Sequence, residues 1–156
     1  MHHLSAKISI FILFFISGVS LAETIQTGDW TVDYTDTFSE AYTENAAGKS
    51  IGFWCDTKEN NCFFYLRTNT ACKENSTTVI PAKTDAGETE IELLCRKIAH
   101  DRDFHYLYFF TDTERTRILL EERLYIEISL PDMDTETFSL KGSKRSIRKV
   151  DELAGK

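Results

Sequence analysis

Beyond residue 22 the chain has no second long apolar run, no Gly-rich phosphate loop among its seven glycines, and no stripe of basic residues interleaved with aromatics. The first absence argues against a further membrane-spanning helix, the second against a nucleotide cradle, and the third against a nucleic-acid interface. No C-x-x-C or H-x-x-x-H pair is present, so the four cysteines do not read as a zinc site. G-x-S-x-G is missing too, and four cysteines pair evenly, which leaves no spare thiol for a nucleophile. No internal repeat, low-complexity tract or linker divides the chain.

What is present begins with a leader. Residues 1–7 carry one positive charge and no acid, residues 8–19 are almost wholly apolar, and Ser20-Leu21-Ala22 sets small residues where a signal peptidase reads. The pattern predicts a secretory signal peptide over residues 1–22, cut before Glu23, with an apolar run too short to span a bilayer. Cleavage leaves 156 − 22 = 134 residues, enough for one domain with a real core. With no cysteine beside the cut to carry a lipid, the expected product is a single periplasmic or secreted domain over 23–156, without a membrane anchor. It holds 17 basic and 25 acidic residues once Lys7 is removed, a net charge of −8 that repels nucleic acid. The Ile/Phe-rich leader is bacterial in type, so the sequon Asn75-Ser76-Thr77 carries no expectation of glycosylation.

An oxidising compartment makes Cys55, Cys62, Cys72 and Cys95 two disulfides. Three connectivities exist. Cys55–Cys62 and Cys72–Cys95 is favoured because each pair closes a self-contained hairpin, although spacing alone leaves the choice open.

Side-chain period predicts the elements. Trp30, Val32 and Tyr34 alternate with polar neighbours as a first strand, and residues 35–49 read as a polar loop. Ile51, Phe53 and Cys55 share one face, as do Cys62, Phe64 and Leu66, with turn chemistry over 56–61 between them. Val79 and Ile80 read as a short strand stopped by Pro81. Ile91, Leu93 and Cys95 form one face of the next strand. Residues 104–110 are apolar on both faces, which suits the middle of a sheet or a position against a helix. One or two helical turns over 111–122, capped by Asp112, precede a strand bearing Leu124, Ile126, Ile128 and Leu130 and ended by Pro131. Phe138 and Leu140 make a last strand closed by Gly142. Ser143 is expected to cap a final helix with Ile147, Val150 and Leu153 on its buried stripe. The fold class is α+β, mainly an antiparallel, sandwich-like β domain with a C-terminal helix and two disulfides.

Candidate chemistry is sparse. Two histidines follow the leader, in His100-Asp101-Arg102-Asp103-Phe104-His105. A metal or acid–base cluster competes there with a charged turn, and ligands so close along the chain rarely all reach one ion. Glu90 and Glu92 share a strand face about 7 Å apart, and Glu121-Glu122 is a second carboxylate pair; a solvated face explains both. No cofactor and no catalytic residue is assigned. Trp54, Phe63 and Tyr65 fall on the phase opposite the cysteines, where exposed aromatics would mark a partner site unless a helix, the C-terminal one above all, covers them. Lys144, Arg145 and Arg148, with Lys149, form a basic helix face that is a second candidate docking patch.

The segment from Leu124 to Pro131, followed by Phe138-Ser139-Leu140-Lys141-Gly142-Ser143 and an amphipathic helix, resembles the ending of the invasion-associated locus B family. Those are small exported bacterial proteins that close with an apolar strand, an F-x-L-x-G step and a terminal helix. Gly28-Asp29-Trp30-Thr31-Val32 and the later Trp54-Cys55 and Cys62 are similar in kind, while the cysteine that family members carry soon after the tryptophan strand is missing from Val32-Asp33-Tyr34. The resemblance implies a β-rich domain linked to host colonisation, with no catalytic residues to carry over. The expected function is protein-partner binding by a non-enzymatic exported protein. A periplasmic inhibitor or immunity protein against a cell-wall hydrolase or toxin is the alternative, since acidity complements basic targets. A hydrolase or metal-binding enzyme using His100 and His105 comes third.

Overall fold

The computed structural model describes residues 22–68, 70–100 and 103–155, apart from the side chains of 99, 100 and 103–105. The predicted leader and the His100 and His105 side chains therefore lie outside what is described. In chain order the elements are β1 (Glu23–Thr27), β2 (Trp30–Tyr34), β3 (Phe38–Glu44), β4 (Ser50–Asp56), β5 (Cys62–Arg67), β6 (Thr77–Thr84), β7 (Gly87–His100), β8 (Asp103–Phe110), α1 (Thr113–Glu121), β9 (Tyr125–Ile128), β10 (Glu136–Ser139) and α2 (Ser143–Leu153). The ten strands form one antiparallel sheet in the order β1-β2-β3-β4-β5-β8-β7-β6-β9-β10. Any sandwich-like layering must therefore come from the curl of this one sheet. β8, apolar on both faces, lies in its middle between β5 and β7.

One face of the sheet carries the core. Val32, Ile51, Phe53, Phe64, Leu66, Leu93 and Ile126 are almost fully buried there, and both helices pack on this face, α2 against β2, β3 and β4 and α1 against β5. α1 contributes Leu120, and α2 contributes Ile147 and Val150. Arg117 of α1 places its guanidinium 4.9 Å from the Phe53 ring centre and 5.6 Å from that of Phe64. The same group takes a fork of hydrogen bonds to Asp151 of α2 at 2.8 and 3.1 Å, which fixes the helices to each other and to the sheet.

Both disulfides form as favoured. Cys55–Cys62 joins directly opposed residues of β4 and β5, with Cα atoms 4.1 Å apart. Cys72–Cys95, with Cα atoms 6.1 Å apart, fastens the loop before β6 to β7. The turn between β4 and β5 is held by the Asp56 carboxylate, which accepts from the backbone N–H groups of Lys58 at 2.7 Å and Glu59 at 2.8 Å. Those two bonds hold its carboxyl below the usual value.

Several expectations need correction. Residues 35–49 are not simply a loop, because β3 runs through them. Its inward residues Ser39, Ala41 and Thr43 are small since α2 comes close at that point: the Ser39 hydroxyl donates to the Val150 carbonyl at 3.4 Å. β6 passes through Pro81, which stands just before the stretch 82–84 that pairs with β9, so the strand is an edge on that side. β1, not foreseen, begins at the residue predicted to follow signal cleavage. Leu124 stands outside β9 with 70% of its surface exposed.

Ser143 is not the cap of α2. Gly142 occupies the cap position, and the Ser143 hydroxyl bonds the carbonyls of Leu120 at 2.6 Å and Leu140 at 2.7 Å, joining α2 to α1 and β10. Asp112 does cap α1, accepting from the Arg115 N–H at 2.9 Å. Asp112→Ala is expected to cost about 1 kcal/mol, read as a lower urea midpoint at unchanged slope.

The turn between β1 and β2 and the segment that ends β10 are clasped together. The Trp30 indole donates to the Ser139 carbonyl at 2.9 Å, Asp29 N–H donates to Lys141 O at 2.9 Å, and the Ser139 hydroxyl donates to the Asp29 carboxylate at 2.6 Å. Backbone meets backbone here, and only glycine fits. A Cβ on Gly28 (φ +61°) would lie 2.5 Å from Lys141 O, and one on Gly142 (φ +99°) would fall far inside the van der Waals contact distance of Thr27 O. At the far end of β10 the buried Glu136 is ion-paired to Lys49 and accepts from the Asn45 amide at 2.5 Å, tying the turn between β3 and β4 to the opposite end of the sheet.

Candidate functional site

The outer face of the sheet is where the sequence placed its aromatics, and the strands bring them into a row. Phe38 on β3, Trp54 on β4, Phe63 on β5 and Phe109 on β8 all point away from the helices, each half-buried. Trp54 is directly opposite Phe63 in the β4–β5 ladder. Successive ring centres are 6.5, 5.0 and 4.3 Å apart with interplanar angles of 17°, 29° and 18°, so the rings stack on one another. Each contact of this kind is worth about 0.5–1.5 kcal/mol beyond its buried area. The C-terminal helix, the candidate cover for this face, packs on the other side of the sheet.

Tyr65 shares the face but is only 5% exposed. Gly52, its partner across the ladder, leaves room for the ring: a Cβ at Gly52 would sit 2.7 Å from the Tyr65 hydroxyl. That hydroxyl donates to Glu40, next to Trp54 in register, and Tyr42 donates to Asp33 at 3.1 Å. Burial, aided by the nearby Glu40 charge, pushes the Tyr65 phenol well above its usual pKa. Burial likewise raises the Glu40 carboxyl, against the opposing pull of the Tyr65 hydrogen bond and of Arg67.

A carboxyl raised in the folded state holds a proton that the unfolded chain gives up near the ordinary pKa of about 4.3. The contribution of Glu40 to stability therefore falls as pH rises from that value through its folded pKa. Glu40→Gln is expected to flatten the pH dependence of stability between pH 4 and 7, with the variant gaining on the parent toward neutrality. Urea unfolding across that range measures the difference.

The second candidate patch is also on the surface. Lys144, Arg145 and Arg148 point outward from α2, with Arg148 Nε 3.9 Å from Glu121 Oε2. Glu121 also binds Arg117 at 3.1 Å, so its carboxylate is engaged in holding the helices. Glu90 and Glu92 are both exposed, and Glu92 accepts from the Thr111 hydroxyl at 2.9 Å. Among the described residues no group of three or more His, Cys, Asp or Glu side chains is placed to hold a metal. A hollow of about 450 Å³ is lined by Lys49, Thr70, Asp132, Met133 and Asp134, but Lys49 is committed to Glu136 and nothing nucleophilic converges there. No helix among the described residues is long and apolar enough to cross a membrane.

The sequence phase identified Trp54 and Phe63 but missed two members of the ridge. Phe38 lies in the stretch read as a loop, and Phe109 lies on a strand whose two apolar faces give no phase. Compared with protein families, curated proteins and solved structures, the chain matches none.

Proposed function

We propose that the chain is an exported bacterial protein, periplasmic or secreted, that works by docking a protein partner on the outer face of its sheet rather than by catalysis. The two disulfides fit an oxidising compartment outside the cytoplasm. The observation that carries the reading is the aromatic ridge of Phe38, Trp54, Phe63 and Phe109, which crosses four strands with both helices on the other side. Half-buried aromatics at the surface are the usual anchors of protein interfaces. The resemblance to the invasion-associated locus B family points the role toward host colonisation.

The test is capture from periplasmic and host-cell extracts with oxidised residues 23–156, alongside Phe63→Ser and Trp54→Ala. A stoichiometric partner held by the parent and reduced at least tenfold in both variants is the expected result. Equal capture by all three proteins would remove the ridge from the interface. Capture of a hydrolase or toxin, with its activity suppressed, would establish the inhibitor role in place of colonisation.

A further inference from the structure

Carboxylates outnumber cations around the ridge. Asp33, Glu40 and Glu44 lie on its β2–β3 flank, with Glu40 opposite Trp54 in register, roughly 5 Å away at one strand spacing. On the other flank Leu94 of β7 pairs with Phe109, and Glu92 and Glu90 follow two and four residues along the same outward face. Two outward cations stand among these five carboxylates: Arg67, 3.4 Å from Glu44, and Arg96, which bonds the neutral Asn75 side chain. The apolar ridge is thus bracketed by carboxylates on both sides, and burial already makes the charge on Glu40 costly.

We propose that the occupant of this face is a cationic protein surface, an apolar anchor flanked by lysines or arginines. The proposal rests on the reading that the ridge is a docking site, and it names the chemistry of the partner. A cation seated beside Trp54 would meet the Glu40 side chain across the ladder, and one on the far flank would meet Glu92. Both contacts favour a basic partner and repel an acidic one. An acidic face on a protein of net charge −8 would also speed encounter with a basic target at low salt.

The probes are two amphipathic peptides of equal length and apolar content, one of leucine and lysine, the other of leucine and glutamate. The readout is the emission of Trp54 in oxidised residues 23–156, because Trp30 is fully buried. The Leu/Lys peptide is expected to shift Trp54 emission to shorter wavelength. Its apparent Kd should weaken at least tenfold between 50 and 300 mM salt, and at least tenfold again in the double variant Glu90→Lys, Glu92→Lys. The Leu/Glu peptide should leave the emission unchanged. Equal binding of both peptides, abolished by Phe63→Ser, would overturn the cationic partner while leaving the ridge as a docking site. Silence with both peptides would overturn the cationic partner, and the ridge itself would fall with it if Phe63→Ser also left extract capture unchanged. Concentration-dependent self-association lost in Phe63→Ser, with neither peptide bound, would make a second copy the occupant.

Discussion

Gly142→Ala is expected to lower stability by about 4 kcal/mol, a fall of more than 10 °C in the thermal midpoint of a domain of this size. Two costs add. The backbone at Gly142 has φ +99°, a conformation that a Cβ strains by about 1–3 kcal/mol. The new methyl would also meet the Thr27 carbonyl, which belongs to a second backbone segment that cannot rotate out of the way. Gly48→Ala separates these costs. Gly48 has φ +71°, but a Cβ there meets nothing within 4 Å, so that variant bears the conformational strain alone. Gly142→Ala should exceed Gly48→Ala by at least about 2 kcal/mol, the scale of a small-to-large change in a packed site. Equal losses would mean that the clasp between the β1–β2 turn and the end of β10 yields readily.

Replacing Cys72 and Cys95 together by alanine is expected to destabilise more than replacing Cys55 and Cys62. The Cys72–Cys95 bridge spans 23 residues and the Cys55–Cys62 bridge only 7. Loop-closure entropy gives about 3.4 kcal/mol for the first and about 2.4 kcal/mol for the second at 25 °C. The surrounding structure points the same way. Cys55–Cys62 links residues already opposed in the ladder beside a turn that Asp56 organises. Cys72, in contrast, lies in the connection between β5 and β6, held to β7 by its disulfide and by backbone bonds such as Asn75 N–H to Cys95 O at 2.9 Å. Chemical denaturation of the two double variants gives the comparison directly, and the reverse order would show that native packing outweighs chain entropy at these bridges.

Much of this architecture was legible in the alternation of side chains. β2 and β7 follow from it because large buried residues alternate with mostly polar ones, and β4 and β5 because the cysteines fix the phase of Ile51, Phe53, Phe64 and Leu66. β3 was hidden because its buried positions hold Ser39, Ala41 and Thr43, the small residues a nearby helix requires, while Phe38 and Tyr42 face outward. Period alone reads that pattern as polar. β6 was cut short at Pro81 because a proline looks like a stop until the neighbouring strand is known to end beside it. The site was half legible for a related reason. Cysteine phase oriented Trp54 and Phe63, but it said nothing of the strand order that sets Phe109 beside Phe63. Nor could it show that Gly52 lets Tyr65 lie down into the sheet and leave the ridge.

The clasp also makes sense of two short segments whose joint presence sequence alone does not explain. Gly28-Asp29-Trp30 and Phe138-Ser139-Leu140-Lys141-Gly142 bond to each other across the closing point of the sheet. Trp30 precedes its carbonyl partner by 109 residues, so a chain made from its N-terminus holds that indole without its mate until Ser139 has been added. Closure of the clasp therefore waits on β10 and α2: a product lacking these two elements leaves Trp30, Val32 and Ala41 uncovered and open to proteolysis.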